Sequence, residues 1–205
     1  MQPKEHWENV YSTQPSNSVS WFQEHADLSL RLIRGTRVAA NKPIIDVGGG
    51  ASTLVDDLLT HGYQNVTVLD LSAIALRASQ RQLGTRASLV RWLQADVTRT
   101  KLIARTYDVW HDRAMFHFLT VPEDRKAYVR AVSRAVKLGG HVIVATFAKD
   151  GPTECSGLPV GRYCADELNT EFGDRFALLS SHQEEHRTPS GSVQQFVYCH
   201  FRMIR

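Results

Sequence analysis

Apolar runs of strand length alternate with helical patterns between residues 43 and 147. The apolar runs lie at residues 43–45, 66–70, 89–93, 107–110 and 141–147. Between them, apolar residues recur at helical spacing, as in Leu54, Val55, Leu58 and Leu59. Alternation of this kind requires right-handed crossovers, so it predicts an α/β fold with a Rossmann-like, mostly parallel sheet and helices on both faces.

The last third of the chain has a different pattern. It predicts a short helix at residues 165–172 and two further strands at residues 176–181 and 194–202. Residues 188–191 read Thr-Pro-Ser-Gly, which is typical of a tight turn. Strands joined by such a turn must be antiparallel, so we predict seven strands, of which the last two form an antiparallel pair.

The first 35 residues carry Pro, Ser and Asn between aromatic residues rather than a strand pattern. We predict that residues 1–35 form an N-terminal cap or lid. Its aromatic side chains either close over a ligand or pack a helix against the sheet. These side chains are Trp7, Tyr11, Trp21 and Phe22.

Composition narrows the class of protein without naming a ligand. With 205 residues, of which 42% are hydrophobic and 22% charged, the chain is long enough for one well-buried domain. The formal net charge of +3 comes from scattered Lys and Arg, so we expect no nucleic-acid partner. The three cysteines lack metal-ligand spacing and no apolar segment has membrane length. We therefore expect reduced thiols, no metal, no membrane contact and a cytoplasmic location.

The most informative motif is the glycine turn after the first predicted strand. Residues 46–52 read Asp-Val-Gly-Gly-Gly-Ala-Ser, and Asp70 ends the second predicted strand. This layout places backbone N–H groups and a carboxylate at one edge of a parallel sheet, as in nucleotide-cofactor sites. A dinucleotide fingerprint would need a glycine at Thr53, and Asp46 would repel a diphosphate. The pattern therefore favours a cationic ligand.

The Asp-x-Gly-x-Gly turn with an acid on the next strand resembles the class I S-adenosylmethionine-dependent methyltransferases. The resemblance implies S-adenosylmethionine as cofactor and S-adenosylhomocysteine as product. It also implies strand order 3-2-1-4-5-7-6 with strand 7 antiparallel. In that family Asp46 would lie near the cationic end of the cofactor, and the N–H groups around Gly48, Gly49 and Gly50 would meet its carboxylate. Asp70 would accept hydrogen bonds from both ribose hydroxyls.

Further residues complete the cofactor site that the resemblance implies. Asp96, after the third predicted strand, matches the position that binds the adenine amino group, with the backbone of Val97 beside it. An Asp after a strand is also ordinary turn chemistry, which is the alternative. Ser52, Leu71 and Trp21 are assigned to the same site.

The end of the fourth predicted strand carries the candidate acceptor chemistry. Residues 110–113 read Trp-His-Asp-Arg, and an Asp-Arg-x-x-Tyr segment follows at residues 124–128. This order resembles the thiopurine methyltransferase branch, which implies a small thiol or related chalcogen compound as acceptor. We predict that Asp112 orients or deprotonates the acceptor, that Arg113 holds an anionic one, and that His111 is a candidate base. The alternative is a buried structural Asp-Arg pair.

Together these motifs predict methyl transfer to a small-molecule acceptor by in-line displacement. The N-terminal aromatic residues also resemble those of protein-lysine methyltransferases of the same fold, so a protein substrate is the first alternative. A cofactor-binding module without turnover is the second. We interpret residues 1–205 as one domain, with residues 1–35 as the cap and 43–147 as the cofactor-binding half. Residues 148–205 would supply an acceptor-side loop, the short helix and the hairpin.

A zinc-peptidase pattern also occurs near the C-terminus. Residues 182–186 read His-Gln-Glu-Glu-His, which matches His-x-x-Glu-His. That chemistry needs a helix, which places both histidines on one face. Because the segment follows a predicted strand and leads into a turn, we expect no metal site there.

Overall fold

A computed structural model describes residues 4–205, and most of its strands form a single sheet. The strands of this sheet are β1 (Ile44–Val47), β2 (Val66–Asp70), β3 (Val90–Gln94), β4 (Tyr107–Arg113), β5 (Val136–Phe147), β8 (Phe176–Arg187) and β9 (Val193–Met203). Two short strands, β6 (Glu154–Cys155) and β7 (Leu158–Pro159), pair with each other outside it.

The order of the sheet is β3-β2-β1-β4-β5-β9-β8. The first five strands in this order are parallel, whereas β9 is antiparallel to both β5 and β8. With the small β6–β7 pair left out, this is the order 3-2-1-4-5-7-6, so the predicted fold is confirmed.

Helices cover both faces of the sheet. They are α1 (Lys4–Thr13), α2 (Asp27–Gly35), α3 (Leu54–Thr60), α4 (Ala73–Leu83), α5 (Pro122–Ala135) and α6 (Ala165–Phe172). Apolar residues of α2, α3 and α4 form one core, and those of α5 and α6 form the other. In β1, Ile44 belongs to the first core and Ile45 to the second. Burial of both faces explains why the apolar run at residues 43–45 continues into β1 without alternating polar positions.

The fourth predicted strand ended too early. β4 continues beyond Trp110 to Arg113, because His111 lies opposite Asp46 and Asp112 opposite Val47 in the pairing with β1. The polar side chains looked like the start of a loop, but they have buried partners that the local pattern does not reveal.

Two further predicted boundaries were wrong. β5 begins at Val136, before the two glycines at 139 and 140, and its register shifts there against β4. β8 extends past Ser181 to Arg187, because β9 continues to pair with it as far as Val193. Partners across the sheet, rather than the local apolar pattern, set both boundaries.

Candidate active site

The carboxyl ends of β1 to β4 meet at one edge of the sheet, where two neighbouring cavities open. The first cavity has a volume of about 710 Å³ and is lined by Asp70, Leu71, Asp96, Val97, Met115 and Phe118, among others. The second cavity, of about 520 Å³, is lined by Ser29, Asp46, Gly49, Ser52 and His111, among others. Tyr11, Trp21, Gly48 and Arg113 line both cavities. Every predicted cofactor residue except Gly50 therefore lines at least one of them.

Close approach explains the glycine turn that separates β1 from α3. Gly48 has φ +72°, and a Cβ atom there would lie 2.6 Å from the Cβ of Met115. A Cβ atom at Gly50 would lie 2.6 Å from Oδ2 of Asp70. Gly50 lines neither cavity, but its N–H donates to Oδ2 of Asp70 over 2.9 Å. Its role is therefore to support the carboxylate, which needs the backbone this close.

Asp70 lies at the wall of the first cavity with 8% of its surface exposed. Oδ1 accepts a hydrogen bond from the N–H of Ser72 over 2.8 Å, while Oδ2 accepts the one from Gly50. Burial raises its pKa to about 6, with a contribution from the negative charge of Asp46, although the backbone donors lower it. Each oxygen keeps a lone pair for a further donor.

Asp46 carries an unsatisfied buried oxygen beside the second cavity. Its Oδ1 lies 2.7 Å from Nδ1 of His111, whereas Oδ2 has no hydrogen-bond partner. Nε2 of His111 lies 2.9 Å from the hydroxyl of Ser29, which is fully buried. A buried carboxylate oxygen without a partner is costly, so this atom is suited to a cationic ligand in the cavity.

The same contacts argue against His111 as a base for the acceptor. Both ring nitrogens of His111 are engaged, one with Asp46 and one with Ser29. The ring is 2% exposed and lines only the second cavity. His111 orients Asp46 rather than reaching an acceptor.

Asp112 lines neither cavity, and its side chain is fully buried. Oδ1 accepts from the backbone N–H groups of Met115 and Phe116, and Oδ2 accepts from the hydroxyl of Tyr128. Burial raises its pKa to about 6, although these donors lower it. The prediction that Asp112 faces the acceptor is therefore not supported. Its contacts are those of a residue that closes the turn after β4 and joins it to α5.

Arg113 lines both cavities, but its charge is already paired. Its guanidinium donates to Glu184 over 2.9 Å, to the hydroxyl of Tyr198 over 2.8 Å and to the carbonyl of Trp21 over 3.1 Å. It also stacks over the ring of Phe196 at 4.3 Å. Arg113 does not pair with Asp112, so the structural Asp-Arg alternative was wrong, and the anion-binding role of Arg113 stays a prediction. Its carboxylate partner comes from β8.

Two predicted cofactor residues also have structural contacts. Asp96 lines the first cavity, but its Oδ1 accepts from the backbone N–H and hydroxyl of Thr98, and its Oδ2 lies 3.4 Å from Arg99. Ser52 lines the second cavity and accepts a hydrogen bond from the N–H of Leu54 over 3.1 Å. Asp96 thus makes the turn contacts expected of an Asp after a strand, and it also lies at the cavity wall, where a cofactor residue would lie.

Aromatic side chains of the cap lie over the first cavity. The ring of Trp7 lies 4.9 Å from Phe118 and 5.9 Å from Trp21, and Tyr11 lies 6.2 Å from Trp21. We call Trp7, Tyr11, Trp21 and Phe118 the aromatic roof; all four line the first cavity. Phe22 lines the second cavity instead. Trp7 and Trp21 also pack against the first core, so the cap has features of both alternatives, and its role as a lid stays a prediction.

Sequence reasoning missed several residues of the site. Met115, Phe118 and Leu119 line the first cavity from the turn after β4, and Ser29 reaches the second cavity from α2. The large apolar residues among positions 115–119, close after a predicted strand, were a usable signal for the first group. No local pattern distinguishes Ser29 from an exposed serine.

Comparison with known proteins agrees with this architecture. A family model described as "Methyltransferase domain" matches residues 45–144, which include the glycine turn, Asp70 and Asp96. A Burkholderia thailandensis 1,6-didemethyltoxoflavin-N1-methyltransferase, solved with S-adenosylhomocysteine, matches with a TM-score of 0.69 at 17% identity, covering 98% of this chain and 84% of that one. The chain is an S-adenosylmethionine-dependent methyltransferase with the class I fold.

Other relatives of this methyltransferase act on different kinds of molecule. One solved structure is described as "Conversion of a Disulfide Bond into a Thioacetal Group during Echinomycin Biosynthesis" and has a TM-score of 0.81 at 18% identity, covering 98% of this chain and 93% of that one. EEF1A lysine methyltransferase 2 of Homo sapiens is 23% identical over 203 residues, covering 92% of this chain and 78% of the human protein. The acceptor class therefore does not follow from similarity alone.

The zinc-peptidase pattern lies in a strand of the methyltransferase. Residues 182–186 belong to β8, so the prediction that this segment is not a helix is confirmed. Within it, Glu184 pairs with Arg113, and Nε2 of His186 lies 2.8 Å from the carbonyl of Ser20. Among residues 4–205, no group of three or more His, Cys, Asp or Glu side chains is placed to hold a metal ion. No helix in the same range is long and apolar enough to cross a membrane.

Proposed function

We propose that this methyltransferase transfers the methyl group of S-adenosylmethionine to a small-molecule thiol or related chalcogen compound by in-line displacement. The observation that carries the proposal is the convergence of the glycine turn, Asp46 and Asp70 on two neighbouring cavities, the first of which lies beneath the aromatic roof. When bound, S-adenosylmethionine supplies a methyl group activated by its sulfonium. The chain then has to bind it, exclude water and orient the acceptor.

The residues present fit this cofactor. The free lone pairs of Asp70 would accept the two ribose hydroxyls, with Leu71 beside them and Asp96 and Val97 at the adenine end. The unpartnered Oδ2 of Asp46 is suited to the cationic amino end of the cofactor in the second cavity. Ser52 and the backbone around Gly48 and Gly49 would surround its carboxylate before α3.

Cofactor affinity should depend on pH because of Asp70. Its pKa is about 6, and only the ionised carboxylate can accept from the ribose with both oxygens. Affinity for S-adenosylhomocysteine should therefore fall as the pH drops through 6, by about tenfold between pH 7 and pH 5. Isothermal titration at pH 5, 6 and 7 measures this change. Asp70→Asn, which stays neutral, should bind weakly without the pH step, and equal wild-type affinity at pH 5 and pH 7 would contradict the prediction.

The choice of a thiol rests on the ionisable groups of the cavity walls. Among the described lining residues, Asp46 and Asp70 are assigned to the cofactor. Asp96 is also assigned to the cofactor, and its carboxylate bonds within its own turn. Both ring nitrogens of His111 are engaged. Burial raises the pKa of Tyr11 far above its usual range, so Tyr11 remains protonated.

No described lining residue is thus left to take a proton from the acceptor. A thiol, with a pKa of about 8.5, supplies a few per cent of thiolate at neutral pH by itself, far more than a lysine amine with a pKa of about 10.4 supplies in its neutral form.

A protein lysine is the second candidate. It is supported by the similarity to EEF1A lysine methyltransferase 2, which extends over 92% of this chain. The aromatic roof would also suit the apolar stem of a lysine side chain. In this case the amine would have to lose its proton before it enters the cavity.

Labelled S-adenosylmethionine supplied to a panel of small thiols, selenols and amines, and in parallel to whole-cell protein extract, distinguishes the candidates. We expect label in the thiols or selenols, absent with Asp70→Ala and retained with Asp174→Ala, an exposed aspartate outside both cavities. Label confined to protein lysines would replace the first proposal by the second. Cofactor binding with no transfer to any acceptor in either arm would reject both acceptor classes.

A further inference from the structure

Helix α1 packs against the rest of the protein mainly through half-buried side chains. Of the residues Lys4 to Thr13, only Val10 is buried. The helix lies against α4, which begins two residues after Leu71, a lining residue of the first cavity. Any side chain of α1 that bonds to the first turn of α4 therefore contributes strongly to the position of the helix.

Glu8 makes such contacts with both carboxylate oxygens. Oε1 accepts from the backbone N–H of Ala73 over 2.9 Å, and Oε2 accepts from the N–H of Ile74 over 3.1 Å and from the hydroxyl of Ser72 over 3.2 Å. The first N–H groups of a helix have no partner within it, and the helix dipole favours a negative charge there. Glu8 thus caps α4 from a different helix, more than sixty positions earlier in the chain.

The neighbours of Glu8 on α1 belong to the aromatic roof. Trp7 precedes Glu8 directly, and Tyr11 follows Trp7 by one helical turn, so both rings point to the same side of α1. Both line the first cavity, where Trp7 contacts Phe118 and Trp21. Movement of α1 away from α4 would remove two walls of this cavity.

Ser72 joins the Glu8 contact to the ribose-binding carboxylate. Its hydroxyl donates to Glu8 and accepts from the N–H of Ala75, while its own N–H donates to Oδ1 of Asp70. The turn that fixes Asp70 therefore also fixes α1. A cofactor bound to Asp70 would lie beneath Trp7 and Tyr11. The Glu8 carboxylate, which holds α1 against α4, would therefore stabilise the same arrangement as the cofactor.

We propose that Glu8 is a positioning residue of the cofactor site, which holds α1 against the first turn of α4 so that Trp7 and Tyr11 stay over the bound cofactor. This inference rests on the proposed cofactor site. It predicts that loss of the Glu8 charge speeds cofactor release, because the roof opens more often, while the sheet and its core are unaffected.

The test compares Glu8→Gln with Glu5→Gln, a matched change at an exposed position of the same helix. Dissociation of S-adenosylhomocysteine, measured by stopped-flow displacement, should be about tenfold faster in Glu8→Gln, on the scale of the lost charge-assisted hydrogen bonds, and unchanged in Glu5→Gln. Hydrogen exchange of residues 4–13 in the complex should be faster in Glu8→Gln, with the melting temperature of the free protein unchanged. Glu8→Asp keeps the negative charge, so its dissociation rate should lie between those of the wild-type protein and Glu8→Gln.

Each outcome bears on one of the two proposals. Wild-type dissociation rates in both glutamine variants would overturn the role of Glu8 and leave the cofactor site intact. If Glu8→Gln lowers both the melting temperature and the affinity for S-adenosylhomocysteine, without faster exchange in residues 4–13, then Glu8 is a structural cap only. Failure of the wild-type protein to bind S-adenosylhomocysteine would overturn the proposed function itself, and the inference with it.

Discussion

Replacing Asp70 by alanine is expected to weaken binding of S-adenosylhomocysteine by at least about a hundredfold, because two hydrogen bonds to an ionised group are lost. Asp70 is the residue at which the glycine turn, the second strand and α4 meet, through Gly50 and Ser72. Isothermal titration measures the loss directly. Methyl transfer to any acceptor should fall in parallel.

Controls separate this effect from unfolding. Alanine leaves the N–H groups of Gly50 and Ser72 without their acceptor, so Asp70→Asn, which keeps the shape, is measured beside it. Asp96→Ala should have a smaller effect, because turn contacts occupy part of its carboxylate. Unchanged affinity in a folded Asp70→Ala protein would show that the cofactor does not bind at this edge of the sheet.

Replacing Glu184 by alanine is expected to destabilise the fold by about 3 kcal/mol or more, because it leaves Arg113 as a buried charge without its partner. The side chains of Arg113 and Glu184 are only 9% and 13% exposed. For a chain of this length the melting temperature should fall by roughly 10 °C. Differential scanning calorimetry or thermal circular dichroism measures this shift.

Glu185 provides the matched control, since it is the next residue of β8 and its side chain is 59% exposed beside Arg187. Glu185→Ala should change stability by no more than about 0.5 kcal/mol. Glu184→Gln, which can still accept from Arg113, should lie between the two. Equal melting temperatures for the Glu184→Ala and Glu185→Ala proteins would show that the buried pair does not stabilise the fold.

The Arg113–Glu184 pair also holds the wall of the site. Arg113 donates to the carbonyl of Trp21, and Oε1 of Glu184 accepts from the side chain of Gln23 over 3.1 Å. Both bonds fix the segment that carries the Trp21 ring of the aromatic roof. The motif that suggested a catalytic Asp-Arg pair therefore contains one residue that closes a turn and one that positions the cap.

The class of fold was predictable because it depends on features that are local in the chain, whereas the strand order was implied only by the resemblance to class I methyltransferases. Each parallel strand is a short apolar run and each crossover has helical periodicity, so residues 43–147 determine their own class of fold. The ends of β4, β5 and β8 were not predictable in the same way. Polar residues such as His111 continue a strand only because a neighbouring strand pairs with them and a buried group bonds to their side chains.

The sequence by itself determined that the glycine turn and Asp70 lie at one edge of the sheet. The glycine turn and Asp70 are brought together by one strand, one helix and the next strand, so their spacing along the chain is enough to place them at one sheet edge. The tertiary structure alone decided the roles of the residues after the fourth strand. Glu184 lies 71 positions from Arg113, and Glu8 lies 65 positions from Ala73. Contacts over such separations depend on how the sheet and the cap pack, which no local pattern of residues specifies.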